Sequence, residues 1–204
     1  SVLPAGAYSG DFAFWSNRVD ESDSSLTQTF DFRTVSSPIE MSYKVWYDLE
    51  TGYDYLYLTA STDGQTWHII TTPACTAGDT SGNSYGCGYT GQNGGYVTQT
   101  VDLSRFAGQE VQLRFEYITD TALTGEGLLL DDVSIPAIAY FTDFEKDDGG
   151  WDAQGFVRMQ NRLPQTYRVS LIFLDREPLV ETLTLDANQS FTLDINTTSS
   201  GEVV

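Results

Sequence analysis

IEMSYKVWYDLETGYDYLYLTASTDGQTW, residues 39–67, is the most informative stretch of this 204-residue chain. Met41, Tyr43, Val45 and Tyr47 alternate with Ser42, Lys44, Trp46 and Asp48. In an extended chain such neighbours face opposite ways. Glu50-Thr51-Gly52 interrupts the run. Beyond it Tyr53, Tyr55, Tyr57 and Thr59 fall on one face, and Asp54, Leu56, Leu58 and Ala60 on the other. Ser61-Thr62-Asp63-Gly64 makes a second turn, where Asp-Gly suits a positive φ. Aromatic and β-branched residues at this density fit a half-buried pleated surface. The stretch reads as a hairpin of two long strands in the middle of a β-sandwich.

Outward from it the same rhythm recurs. Ala7–Trp15 sets Phe12 and Phe14 against Ala13 and Trp15, after a Ser9-Gly10-Asp11 turn. Leu26, Gln28, Phe30 and Phe32 alternate with Thr27, Thr29 and Asp31; Tyr96–Leu103, Val111–Thr119 and Gly127–Ile135 follow. With turn signals between these runs and no sustained helical period, an all-β chain is predicted, with about seven or eight antiparallel strands in the first 137 residues. Two packed sheets bury such faces without a long exposed edge. The expectation is an antiparallel jelly-roll β-sandwich over residues 1–137. An immunoglobulin sandwich is disfavoured, because the two cysteines bracket a loop and not a pair of strands around a tryptophan. Ala137–Gly150 mixes an apolar run with acids and two glycines and reads as a boundary. Residues 138–204 then read as a smaller β-sandwich-like module, with strands at Gly155–Met159, Tyr167–Leu174, Leu179–Leu185 and Ser190–Ile195. Ser1-Val2-Leu3-Pro4 looks like an interior cut from a longer chain. Gly201-Glu202-Val203-Val204 looks like the opening of a further strand, so the last module is expected to be truncated.

The formal charge is −19, from 29 acidic and 10 basic side chains. Such a chain repels phosphate backbones, so nucleic acid and anionic membrane surfaces are poor partners. No apolar run approaches the roughly 18 residues of a membrane span. The charge serves solubility, and it also suits carboxylates that hold calcium, a hard cation with a preference for oxygen. Cys75 and Cys87 enclose a segment rich in Gly, Ser, Thr and Asn. That segment cannot make a buried strand and is a surface loop. A disulfide there would contribute on the order of 3 kcal/mol and would favour an oxidising, secreted or extracellular setting; two free thiols are the alternative. Two thiols alone make no zinc site, and the one histidine, His68, follows Trp67 on a strand.

Several pieces taken together carry a family likeness: Tyr8-Ser9-Gly10, Trp15-Ser16, LTQTFD at 26–31, KVWYDLETGYDYLYLT at 44–59, STDGQTW at 61–67, LRFEYITD at 113–120 and LDDVSI at 130–135. They resemble the MAM-like jelly-roll module that follows the catalytic domain in secreted immune inhibitor A-type metalloproteases. DFEKDDGGWDAQGFVR at 143–158 and LPQTYRVSLIF at 163–173 resemble the region after that module in bacterial relatives. The resemblance implies a non-catalytic accessory region of a secreted bacterial metalloprotease. It implies partners among extracellular protein substrates, cell surfaces or glycans. Those proteases use an HExxH helix, which needs two histidines one turn apart and an acid as base. This chain has only His68, so no such chemistry is expected from it. The alternative is a carbohydrate-binding module presenting Trp46, Tyr53 and Tyr55, although such aromatics more often pack inward.

The same resemblance points to structural calcium. In jelly-roll modules of this kind an Asp on the last strand binds calcium beside the first strand. This implies Asp131 or Asp132, with a backbone oxygen near Asp11, and Glu145 if the chain folds back after Ile135. Asp48, Glu50 and Asp54 flank aromatic strands. A glycosidase needs two carboxylates roughly 5–10 Å apart across a cleft, and alternation gives no reason for these to converge. Residues 61–67 also resemble an Asp-box one residue short, a folding turn with no catalytic role.

Overall fold

The computed structural model describes residues 2–162, 167–173, 179–188 and 190–194. The chain divides into two compact units, residues 1–162 and 163–204. In the first unit the strands are β1 (Phe12–Trp15), β2 (Asp23–Asp31), β3 (Glu40–Asp48), β4 (Tyr55–Ser61), β5 (His68–Ile69), β6 (Val97–Asp102), β7 (Glu110–Ile118), β8 (Gly127–Ile135), β9 (Tyr140–Thr142), β10 (Asp152–Gln154) and β11 (Val157–Gln160). One sheet has the order β11-β1-β8-β3-β6, with β9 also on β8; the other has the order β10-β2-β7-β4-β5. Every pairing between these strands is antiparallel. The architecture is an antiparallel β-sandwich, as the period of two predicts.

The dry faces meet between the sheets. Met41, Tyr43, Val45 and Tyr47 of β3 share one core with Leu56 and Leu58 of β4 and Leu113, Phe115 and Tyr117 of β7. The Tyr43 and Phe115 rings meet edge-on at 4.9 Å. Each large side chain so buried contributes about 1.5–3 kcal/mol.

Residues 39–67 do not form a hairpin. β3 pairs with β6 and β8, while β4 pairs with β5 and β7. The turn after β3 carries the chain from one sheet to the other. Alternation states which side chains leave water, not which strand lies alongside. All seven residues of β4 are buried. Leu56, Leu58 and Ala60 enter the core, and the opposite face lies under the loop closed by the Cys75–Cys87 disulfide. Within that cover, Tyr89 and Leu56 exchange backbone hydrogen bonds of 2.8 and 3.0 Å. The Tyr85 amide donates to the Tyr57 hydroxyl at 3.0 Å. A Cβ at Gly88 would stand 2.6 Å from the Tyr57 ring, so only glycine lets the loop lie this close.

The expected boundary at residue 137 does not coincide with the division at 162. Residues 138–162 complete the sandwich. β9 joins β8, β10 joins β2 and β11 joins β1. Phe144, Trp151 and Phe156 from this segment are buried in the shared core. Phe144 stands edge-on to Phe14 at 4.9 Å, and Trp151 lies against Phe115 at 5.6 Å. The chain also returns to its starting point. The amides of Val2 and Leu3 both donate to Asn161 Oδ1 at 2.9 Å.

In the second unit β12 (Val169–Phe173) and β13 (Leu179–Leu183) form an antiparallel pair. The expected strand at Gly155–Met159 belongs to the first unit as part of β11. Residues 190–194 are not in a strand. Ile195 and Gly201–Val204 lie outside the described residues, and with them the expected further strand.

Candidate functional site

The acids singled out on β8 meet the segment leading into β1. The register between β3 and β8 shifts between Ser42 and Lys44, which face Ser134 and Asp131. Asp132 has a φ of 46°, in the left-handed region. A bulge of this kind re-aims side chains that strict alternation would send apart. Asp131 is 0% exposed. Its Oδ2 accepts from the amides of Tyr8 and Ser9 at 2.8 and 3.1 Å, and its Oδ1 from the Asp132 amide at 2.8 Å. Asp132 Oδ1 accepts from the Ser9 hydroxyl at 2.7 Å. Burial pushes the Asp131 carboxyl up to about 6 against the pull of these amides.

The chain does fold back after Ile135. Glu145 Oε1 accepts from the amides of Asp11 and Phe12 at 2.9 and 2.6 Å. Gly10, with a φ of 57°, leaves room for that carboxylate: a Cβ there would be 2.3 Å from Glu145 Cδ. Arg158 holds the Glu145 carbonyl at 2.9 Å and lies over the Phe12 ring at 4.0 Å. Thus Asp131, Asp132 and Glu145 grip Tyr8–Phe12 from two sides. Asp131 and Glu145 act as acceptors for backbone amides, a role that needs no metal.

Glu50 and Asp54, which alternation gave no reason to bring together, do converge, and Asp120, not singled out in the sequence, joins them. Among the described residues, the one trio of potential metal ligands within 4.8 Å of one another is Glu50, Asp54 and Asp120. Glu50 and Asp54 flank the turn between β3 and β4, where the Asp54 amide donates to the Glu50 carbonyl at 3.1 Å. Asp120 follows β7, which pairs with β4 so that Tyr55 faces Ile118. Asp54 Oδ1 accepts from the Asp120 amide at 3.1 Å. Asp54 Oδ2 and Glu50 Oε2 are buried and lack partners. Burial raises the Asp54 carboxyl to about 6, with the Asp120 and Glu50 charges adding to it. The signal available in the sequence was the close spacing of Glu50 and Asp54 across a glycine turn. The third acid, 66 residues beyond Asp54, is brought in by strand pairing alone.

The proposed aromatic platform is not assembled. Trp46 packs beside Leu3, Ala13 and Leu129 on the outer side of the β3 sheet. Tyr55 is 1% exposed in the other sheet, and of the three Tyr53 alone is largely open, at 46%. Tyr55 donates its hydroxyl to the Gly52 carbonyl at 3.2 Å, as a packed residue does. His68 is exposed on β5 opposite Ala60. Asp63 is engaged by its own turn: its Oδ1 accepts from the Gln65 and Thr66 amides at 2.8 and 2.7 Å. Cys75 and Cys87 are bonded to each other. No helix among the described residues is long and apolar enough to cross a membrane.

Comparison with known proteins covers the same span as the sandwich. The family model for the immune inhibitor A-like MAM domain matches residues 2–161. The pre-pro-metalloprotease PrtV of Vibrio cholerae serotype O1 is 29% identical over 151 residues, 73% of this chain and 16% of that protein. Immune inhibitor A of Bacillus thuringiensis subsp. alesti is 33% identical over 123 residues, 60% of this chain and 17% of that protein. Bacillopeptidase F of Bacillus subtilis is 24% identical over 138 residues, 65% of this chain and 8% of that protein. The matched region thus spans about a sixth or less of the length of these relatives.

Proposed function

The chain belongs to the immune inhibitor A-like MAM domain family, and from that premise we propose that it is a non-catalytic accessory region of a secreted bacterial metalloprotease, stabilised by calcium. The observation that carries the reading is the extent of the family match, which runs from the first β-strand through the segment that closes the sandwich. The sequence holds one histidine, too few for a two-histidine zinc helix. Two of the relatives that share this region are named a metalloprotease and immune inhibitor A. The disulfide suits an extracellular setting. The task of such a region is to hold the parent enzyme against an extracellular protein, a cell surface or a glycan.

The corner at Tyr8–Phe12 supplies a donor set of oxygens, the chemistry that calcium prefers. Asp131 and Glu145 already hold backbone amides through three of their four oxygens. The oxygens left for an ion are the outer ones of Asp132 and Glu145 and a backbone oxygen near Asp11; among the described residues no three carboxylates of this corner come within 4.8 Å of one another, so backbone oxygens and water would make up most of the shell. An ion there would neutralise acids that otherwise repel one another along the rim of the two strands.

Two measurements test the reading. The 204-residue chain, given zinc and casein, is expected to release no peptides; hydrolysis that co-purifies with the chain at constant specific activity would overturn the non-catalytic assignment. Melting in calcium and in chelator is expected to show a calcium-dependent rise in wild type that shrinks in Glu145→Gln. An equal rise in both removes the Tyr8–Phe12 corner from the reading.

A further inference from the structure

We propose that Glu50, Asp54 and Asp120 form a calcium site of their own, where the β3–β4 turn meets the end of β7, separate from the corner at Tyr8–Phe12. Their ligand oxygens all lie within 4.8 Å of one another. That span is about twice a calcium–oxygen distance of roughly 2.4 Å, so the three fit around a single ion.

The buried oxygens supply the independent reason. Asp54 is 1% exposed, and its Oδ2 has no hydrogen-bond partner. Glu50 Oε2 is buried and unpartnered as well. Buried polar atoms are nearly always satisfied, and a desolvated charge left unpaired is costly. Tyr117 is 1% exposed and pairs across the strands with Leu56, two residues from Asp54 on the same face; its phenol lies beside the Asp54 carboxylate, a neutral neighbour that leaves the charge of the cluster uncompensated.

Among the described residues no ion pair reaches the cluster. The ion pairs among the described residues join Arg18, Arg33, Arg114 and Arg158 to other acids. The carboxylates are nonetheless held in place. The Asp120 amide fixes Asp54 Oδ1 at 3.1 Å, the Ala122 amide fixes Asp120 Oδ1 at 3.1 Å, and Asn83 Nδ2 reaches Asp120 Oδ2 at 3.3 Å. Such outer hydrogen bonds orient the ligands of a metal. Oxygen-only donors with no histidine or thiolate exclude a zinc-type preference and favour a hard cation; water would complete the shell. Asn83 also donates to the Tyr53 carbonyl at 3.4 Å. It lies inside the disulfide loop, so an ion bound here would steady that loop.

The test is calorimetric titration of the chelator-stripped 204-residue protein with calcium chloride near neutral pH. Wild type is expected to bind one ion more than Asp54→Asn and one more than Glu50→Gln. Both variants should keep a cooperative melt in chelator, since an amide at position 54 retains Oδ1 for the Asp120 amide. Asp54→Asn is expected to melt at or above wild type without metal, because it removes one of three crowded charges. In wild type alone, calcium should also slow proteolysis of residues 76–86. Equal stoichiometry in wild type and both variants overturns the proposal, as does a site that takes magnesium and refuses calcium. An ion at the Tyr8–Phe12 corner would persist in both variants. If that corner binds none, the count still falls, from one ion to zero.

Discussion

Asp63 is exposed, yet four donors converge on its carboxylate. Its Oδ1 accepts from two amides and the Ser61 hydroxyl, and its Oδ2 from the Thr66 hydroxyl at 3.0 Å. The amides, first among these, hold the carboxyl well below its ordinary value of 3.8. A carboxyl lowered on folding stabilises the native state above its unfolded value and loses that contribution as the pH falls towards its folded value. Asp63→Asn is therefore expected to melt below wild type at neutral pH, with the gap closing as the pH is taken from about 4 down to about 2. A gap that stays constant over that range would show that the charge plays no part in the turn. The Asp-Gly pair made this turn legible in the sequence. The convergence of Asp131 and Asp132 was not legible, because a period of two assigns consecutive side chains to opposite faces. The bulge that defeats the rule appears only once β3 and β8 are paired. The convergence of Glu50 and Asp54 with Asp120 was illegible for a related reason, since nothing in a linear pattern states which strand ends adjoin.

At the scale of elements, the loop over β4 behaves as a layer. It has no strand of its own between Cys75 and Cys87, so its order rests on the disulfide and on contacts to Tyr55 and Tyr57. Closing a loop of this size contributes on the order of 3 kcal/mol, largely through the unfolded state. The double variant Cys75→Ser, Cys87→Ser is expected to lose about that much stability in urea titration and to gain protease cleavage between residues 76 and 86. A loss below about 1 kcal/mol would mean that the Tyr57, Tyr85 and Tyr89 contacts suffice without the bond. The strands themselves were legible, because each carries its dry face in alternate residues. Their neighbours were not. β4 reads as the partner of β3, but it lies in the other sheet between β7 and the short β5, with Tyr55 and Tyr57 covered from outside and Leu56 and Leu58 from within.

For the whole molecule, the segment from 138 to 162 decides what counts as a folding unit. It brings Phe144, Trp151 and Phe156 to the core, two strands to one sheet and one to the other. Deleting one buried large aromatic costs about 3–5 kcal/mol, and a domain's whole stability is about 5–15 kcal/mol. A chain of residues 1–162 is expected to unfold cooperatively in urea, and one of residues 1–137 is expected to show no such transition. A sharp transition for the shorter chain would return the boundary to residue 137. Composition hid this segment. Its anchors Tyr140, Phe144, Trp151 and Phe156 follow no period, and positive φ at Phe144, Gly149, Gly150 and Gly155 bends the chain away from any regular pattern. The Asn161 carboxamide that takes the amides of Val2 and Leu3 has a mechanical consequence. One carboxamide thus clasps the two margins of the sandwich, residues 2–3 and 161, so that fraying at either margin loosens the other.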